Sequence, residues 1–136
     1  EQGDLIALYP EGTITADPDG WPMTGRRGAA QLALRTGAPV IPVVQDGAQL
    51  VLGGKRLEWW RLFGRRRDIR IQAGPAVDLS EFEGEEPTKE VLDRATTRIL
   101  DTLTAMRAEL TGLTPPEGRY DARLGRRVTI GGAVGE

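Results

Sequence analysis

The chain reads as an α/β domain, and three observations predict it. A short continuous apolar run, Leu5-Ile6-Ala7-Leu8-Tyr9, stops at a proline. A helical stretch follows it and leads into a second apolar run, Val40-Ile41-Pro42-Val43-Val44. A long amphipathic segment fills residues 88–111. Apolar runs of this length, bounded by turn residues, are the pattern of strands buried on both faces, as in parallel sheets. Strand, helix and strand in that order predict a βαβ unit with a right-handed crossover.

Each element has its own local reason. Pro10 closes the first run, and Pro10-Glu11-Gly12-Thr13 leaves the expected sheet at its carboxyl end. Residues 16–24 hold Pro18, Gly20 and Pro22 and read as loop. Residues 26–36 read as a helix with Thr24 as N-cap, a weak face of Ala29, Ala30, Leu32 and Leu34, and Gly37 as its stop. Pro42 inside the second run points to an edge or a bulge. From Asp68 to Ala73, Ile69, Ile71 and Ala73 alternate with Arg70 and Gln72, the period of a strand. Thr88 is a good N-cap after Pro87, and Val91, Leu92, Ala95, Ile99, Leu103, Met106 and Leu110 recur at helical spacing until Gly112. Residues 1–112 are thus expected to be domain. Residues 113–136, rich in glycine with Pro115-Pro116, are expected to be a disordered tail.

Composition narrows the chemistry. With 136 residues, 39% hydrophobic and 28% charged, the chain supports one modest core. Its net charge of -2 gives no overall basic field for nucleic acid. It contains no cysteine and no histidine, so it offers no thiolate, no Cys/His metal site and no imidazole base. No run approaches the roughly 20 apolar residues of a membrane-spanning helix. The chain opens at Glu1 without an initiator methionine and enters an apolar run at Leu5, the expectation for a fragment of a longer protein.

Three stretches, in order and closely spaced, resemble the phospholipid/glycerol acyltransferase family, the lysophospholipid or 1-acyl-glycerol-3-phosphate type. Tyr9-Pro10-Glu11-Gly12-Thr13 is similar to its Phe-Pro-Glu-Gly-Thr motif. Gly25-Arg26-Arg27-Gly28-Ala29-Ala30-Gln31-Leu32-Ala33-Leu34 is similar to its Lys-x-Gly-Ala-x-x-Leu-Ala helix. Gly37-Ala38-Pro39-Val40-Ile41-Pro42-Val43 is similar to its final strand motif. The segment from Ile71 to Leu79 resembles its Val-Gly-Pro-Pro-Val-Asp-Leu stretch, and the loop from Asp17 to Met23 resembles actinobacterial members. The resemblance covers residues 5 to about 110 and implies the C-terminal portion of the glycerol-phosphate acyltransferase sheet with covering helices.

That resemblance implies acyl transfer from acyl-CoA or acyl carrier protein, as co-substrate, to a lysophospholipid hydroxyl, giving phosphatidic acid. It implies no cofactor and no metal. Glu11, Gly12, Thr13, Arg26 and Arg27 become the candidate acceptor-binding residues. The residue types suit the task. Gly12 lets backbone approach a ligand, Thr13 offers a hydroxyl and an N–H, and arginines at a helix N-terminus suit phosphate. A solvated first turn is the plainer reading of Arg26 and Arg27.

Two departures stand out. Many members carry Arg after Glu-Gly-Thr, where this chain has Ile14. The family's catalytic Asn-His-x-x-x-x-Asp motif, whose His deprotonates the acceptor hydroxyl, is missing altogether. Removing a general base costs on the order of 10²–10⁴ in rate. The isolated chain is therefore expected to transfer no acyl group from a thioester to a lysolipid, and turnover by the purified chain refutes this.

The segment from Lys55 to Arg67 mixes basic and aromatic residues. Trp59, Trp60, Phe63, Arg65 and Arg66 are candidate membrane contacts, with aromatics in the headgroup zone and arginines on anionic lipid. An exposed hairpin with packed tryptophans is the alternative. Peripheral attachment at the cytoplasmic face of the membrane is the corresponding expectation. The other functional class is a non-catalytic phosphate- or lipid-binding module. Asp17-Pro18-Asp19-Gly20 touches a calcium-loop pattern but lacks the remaining ligands, so it reads as a turn.

Overall fold

The structure is a computed structural model, and it describes residues 3–47 and 68–129. The elements run α1 (Gly28–Thr36), β1 (Val43–Asp46), β2 (Arg70–Ala73), a 3-10 turn (Ser80–Phe82), α2 (Lys89–Thr111), β3 (Arg119–Asp121) and β4 (Arg126–Val128). β1 pairs antiparallel with β2, and β3 pairs antiparallel with β4.

α2 is the centre of the molecule. Its start is set as the sequence predicts, with the Thr88 side chain accepting a hydrogen bond from the Val91 N–H. Gly112 closes it in the left-handed conformation at φ 72°. The predicted stripe is core. Val91, Leu92, Ala95 and Ile99 pack with Ala30 of α1, Val77 and Phe82, while Leu34, Val40, Leu79 and Leu103 flank them. A second buried strip, Thr96 and Leu100, lies beside the first. It was hidden in the sequence because Thr96 is polar, and its hydroxyl is satisfied by the Leu92 carbonyl at 2.7 Å.

α1 begins at Gly28, two residues later than expected. Thr24 does not cap it; the Thr24 N–H donates to the Tyr120 carbonyl, and Arg27 occupies the N-cap position without a side-chain cap bond. Its end is as expected, with Gly37 at φ 68°.

The strands differ from the sequence reading. Residues 5–9 form no strand, and Leu5, Ile6, Leu8 and Tyr9 are all exposed. The second run becomes a strand only from Val43, and its partner is β2, in the register Val43 to Ala73 and Gln45 to Ile71. The expected parallel βαβ pair is thus replaced, among the described residues, by an antiparallel one. The reason is that a ladder needs a neighbour with free N–H and C=O groups, and hydropathy alone does not select it. The pairing continues past β1, with Gly74 N–H donating to Pro42 and Val77 N–H to Val40. Pro42 fits here because it supplies only its carbonyl.

The largest correction concerns the expected tail. Residues 119–128 form the β3–β4 hairpin, docked on α2 and on the loop after the Glu-Gly-Thr turn. Arg119, buried, reaches Asp101 of α2 at 2.5 Å, and Arg127 reaches Asp17 at 2.8 Å. Its order comes from ion pairs rather than apolar burial, so hydropathy gives no warning of it. The candidate membrane residues Trp59, Trp60, Phe63, Arg65 and Arg66 lie outside the described residues.

Candidate functional site

The site is built on the turn that holds the Glu-Gly-Thr sequence. The Gly12 N–H donates to the Tyr9 carbonyl at 2.9 Å, closing the turn. The Arg26 N–H donates to the Pro10 carbonyl at 2.7 Å, which ties the turn to the approach to α1. Gly12 has φ 69°, and a Cβ there would stand 3.1 Å from Arg26 Nε. The left-handed conformation favours glycine, and the flexible Arg26 side chain lies across it.

The two arginines separate cleanly. Arg27 is engaged in a bidentate pair with Asp93 of α2, with Nε 2.5 Å from Oδ1 and Nη2 3.1 Å from Oδ2. Arg26 is exposed, and no carboxylate pairs with it among the described residues. Of the two candidates, Arg26 is the available cation, and it stands over exposed Gly12 next to exposed Thr13. Beside them an open groove of about 370 Å³ is walled by Leu8, Tyr9, Pro10, Ala29 and Leu32, with Arg26 at its edge.

Glu11 points the other way, into the loop of residues 15–23. That loop is organised by Asp17, whose side chain is fully buried. Asp17 Oδ1 accepts from the N–H groups of Asp19 at 2.9 Å and Trp21 at 3.2 Å. Thr15 Oγ1 donates to the Trp21 carbonyl, and Trp21 and Met23 are buried. Arg107 of α2 lies over the Trp21 ring and donates to the Asp19 carbonyl. The Met23 backbone lies near enough to the Glu11 carboxylate to favour its charged form.

Burial pushes the Glu11 carboxyl above its ordinary value. The Asp17 charge adds to that, while the Met23 N–H and Arg107 oppose it. One carboxylate oxygen, Oε2, is buried without a hydrogen-bond partner. A carboxyl whose pKa is higher folded than unfolded stabilises the fold most in acid, and that contribution declines as pH rises from the unfolded value through the folded one. Glu11→Gln removes the charged form and its penalty. Its Tm relative to wild type is therefore expected to be higher at pH 8, with the difference shrinking towards pH 4; thermal unfolding across that range tests it, and a difference independent of pH refutes it.

Thus the sequence-predicted residues Glu11, Gly12 and Thr13 sit on one turn with the Arg26 side chain across it, whereas Arg27 is diverted to Asp93. Sequence reading missed Asp17, Arg107 and Arg127. Asp17 carried the turn signal, but nothing in the sequence joins it to Arg127, 110 residues away, or its loop to Arg107.

In comparisons with known proteins, the Acyltransferase family model matches residues 1–46. No curated protein and no solved structure matches the chain. The matched residues are those that build the Glu11–Thr13 turn, the Asp17 loop, α1 and β1, and over them the match supports the acyltransferase family.

Proposed function

We propose that this chain is the acceptor-binding, C-terminal portion of an acyltransferase that moves a fatty acyl group from acyl-CoA or acyl carrier protein to a lysophospholipid hydroxyl, with 1-acyl-glycerol-3-phosphate as acceptor and phosphatidic acid as product. The observation that carries it is Arg26, paired with no carboxylate among the described residues, lying over Gly12 beside an apolar groove within the matched segment. An acceptor of this class has one dianionic head and one apolar tail. Arg26, the Thr13 hydroxyl and nearby N–H groups suit the head, and the walls of Leu8, Tyr9 and Leu32 suit apolar atoms.

In the reaction the acceptor oxygen attacks the thioester carbonyl, the C–O bond forms, the C–S bond breaks and the thiol leaves. The proton taken from the hydroxyl needs a base, and this chain supplies no histidine for it. The role here is to hold the acceptor. The architecture suits part of a larger sheet. β1 and β2 bury Val44 against α2, yet Ile41, Val43, Ile69 and Ile71 on the other face are exposed, as is the run at residues 5–9. The basic-aromatic segment from Lys55 to Arg67 is the proposed contact with an anionic membrane surface, which a peripheral enzyme acting on lipid requires.

The test is titration of the chain with sn-glycerol 3-phosphate, followed through the amide signals of Gly12, Thr13 and Arg26. Arg26→Ala is expected to weaken binding about tenfold or more, since a charge-assisted hydrogen bond contributes about 1.5–3 kcal/mol. Arg27→Ala is expected to leave affinity unchanged. Equal weakening by both variants, or none by Arg26→Ala, counts against this site.

A further inference from the structure

We propose that Arg127, on β4, is a positioning residue for Glu11, acting through Asp17 and the loop of residues 15–23. The proposal rests on the reading of Glu11 as an acceptor-binding residue.

The path is continuous. Arg127 Nη2 lies 2.8 Å from Asp17 Oδ2, 3.1 Å from Asp17 Oδ1 and 2.9 Å from Asp19 Oδ2. Asp17 is fully buried, so its charge depends on a partner, and Arg127 is the cation that reaches it. With its charge matched, Asp17 holds the N–H groups of Asp19 and Trp21. That turn delivers buried Trp21 and Met23, and the Met23 backbone and the Asp17 charge both act on the partly buried Glu11 carboxylate, whose Oε2 has no hydrogen-bond partner. The charged groups around this centre are Asp17, Asp19, Arg107 and Arg127. Arg107 already serves the loop from α2, through the Trp21 ring and the Asp19 carbonyl. Arg127 alone among these touches the Asp17 carboxylate.

The alternative is that Arg127 merely fastens the hairpin. Fastening predicts a change in stability and no change at Glu11. Positioning predicts a change at Glu11 in a molecule that is still folded.

The experiment uses the whole chain labelled with ¹³C at glutamate side-chain carboxyls, and compares wild type with Arg127→Ala and Arg127→Lys. In Arg127→Ala the loop is expected to open, since Asp17 loses its counter-charge. The Met23 amide should shift and lose at least tenfold in hydrogen-exchange protection, and the Glu11 titration midpoint should move down towards that of exposed glutamates, because burial is what raises it. Arg127→Lys is expected to keep the wild-type behaviour, because one nitrogen makes all three contacts and Nη1 is buried without a partner. If Arg127→Ala does not fold, Arg127→Gln, which keeps a donor and drops the charge, gives the same comparison. A folded variant with an unchanged Glu11 midpoint and Met23 amide overturns the proposal, whatever its Tm. Failure of wild type to bind sn-glycerol 3-phosphate counts against the acceptor reading alone, because the response of Glu11 to Arg127 is read without ligand.

Discussion

Replacing Asp101 by alanine is expected to destabilise the chain by about 3 kcal/mol, more than replacing Arg119, its buried partner, by methionine. Arg119 is 5% exposed, and its Nη2 sits 2.5 Å from Asp101 Oδ1. Burial lowers the Arg119 pKa, opposed by Asp101, yet a guanidinium remains charged at any ordinary pH. Its Nε is already buried without a partner. Asp101→Ala therefore strands a cation, the costly way to break such a pair. Arg119→Met removes the buried charge, keeps most of the volume and leaves Asp101, which is more than half exposed, to water. Denaturant unfolding of both variants decides the matter. A loss below about 1 kcal/mol for Asp101→Ala means that water reaches Arg119 and that the hairpin does not depend on the pair.

Phe82→Ala is expected to cost about 3–5 kcal/mol. Phe82 is 2% exposed and stands at the end of the 3-10 turn, packed among Val77, Val91, Ala95 and Ile99. It lines neither the groove nor the Glu11 turn, so the loss is one of packing. With native domains stable by about 5–15 kcal/mol, the variant retains little margin, and its Tm is expected to fall by roughly 15 °C or more. Arg94 lies over the ring at 5.0 Å and also pairs with Glu81, but it is exposed. Arg94→Ala is accordingly expected to cost less than about 1 kcal/mol. If the two variants lose the same amount, the ring's value lies in the cation contact and the core argument fails.

The arrangement around Glu11 shows how much of the chain supports one short turn. The turn itself is short and exposed, and its own hydrogen bonds join Tyr9 to Gly12 and Pro10 to Arg26. Its acidic residue, Glu11, is backed by a loop that has only two large apolar residues, Trp21 and Met23, in the core. Arg107 and Arg127 supply what those two residues do not. Such support from outside the local segment keeps a binding group within a narrow range of positions.

What the sequence by itself determined is local. Thr88, Gly37 and Gly112 set helix ends through their own side chains or conformations, and the period of α2 named its core face. The Glu11–Thr13 turn was legible for the same reason, because Gly12 meets its requirement within the tetrad Tyr9–Gly12. Only the tertiary structure decided which partners lie across long separations. Asp93, 66 residues away, claims Arg27, while no carboxylate among the described residues pairs with Arg26. β2 claims β1 where a parallel neighbour was expected, and residues 5–9 have no strand partner among the described residues. Arg119 and Arg127 convert a glycine-rich stretch into a docked hairpin. In each case the deciding quantity is a distance between charges or backbone groups, which periodicity and propensity do not contain.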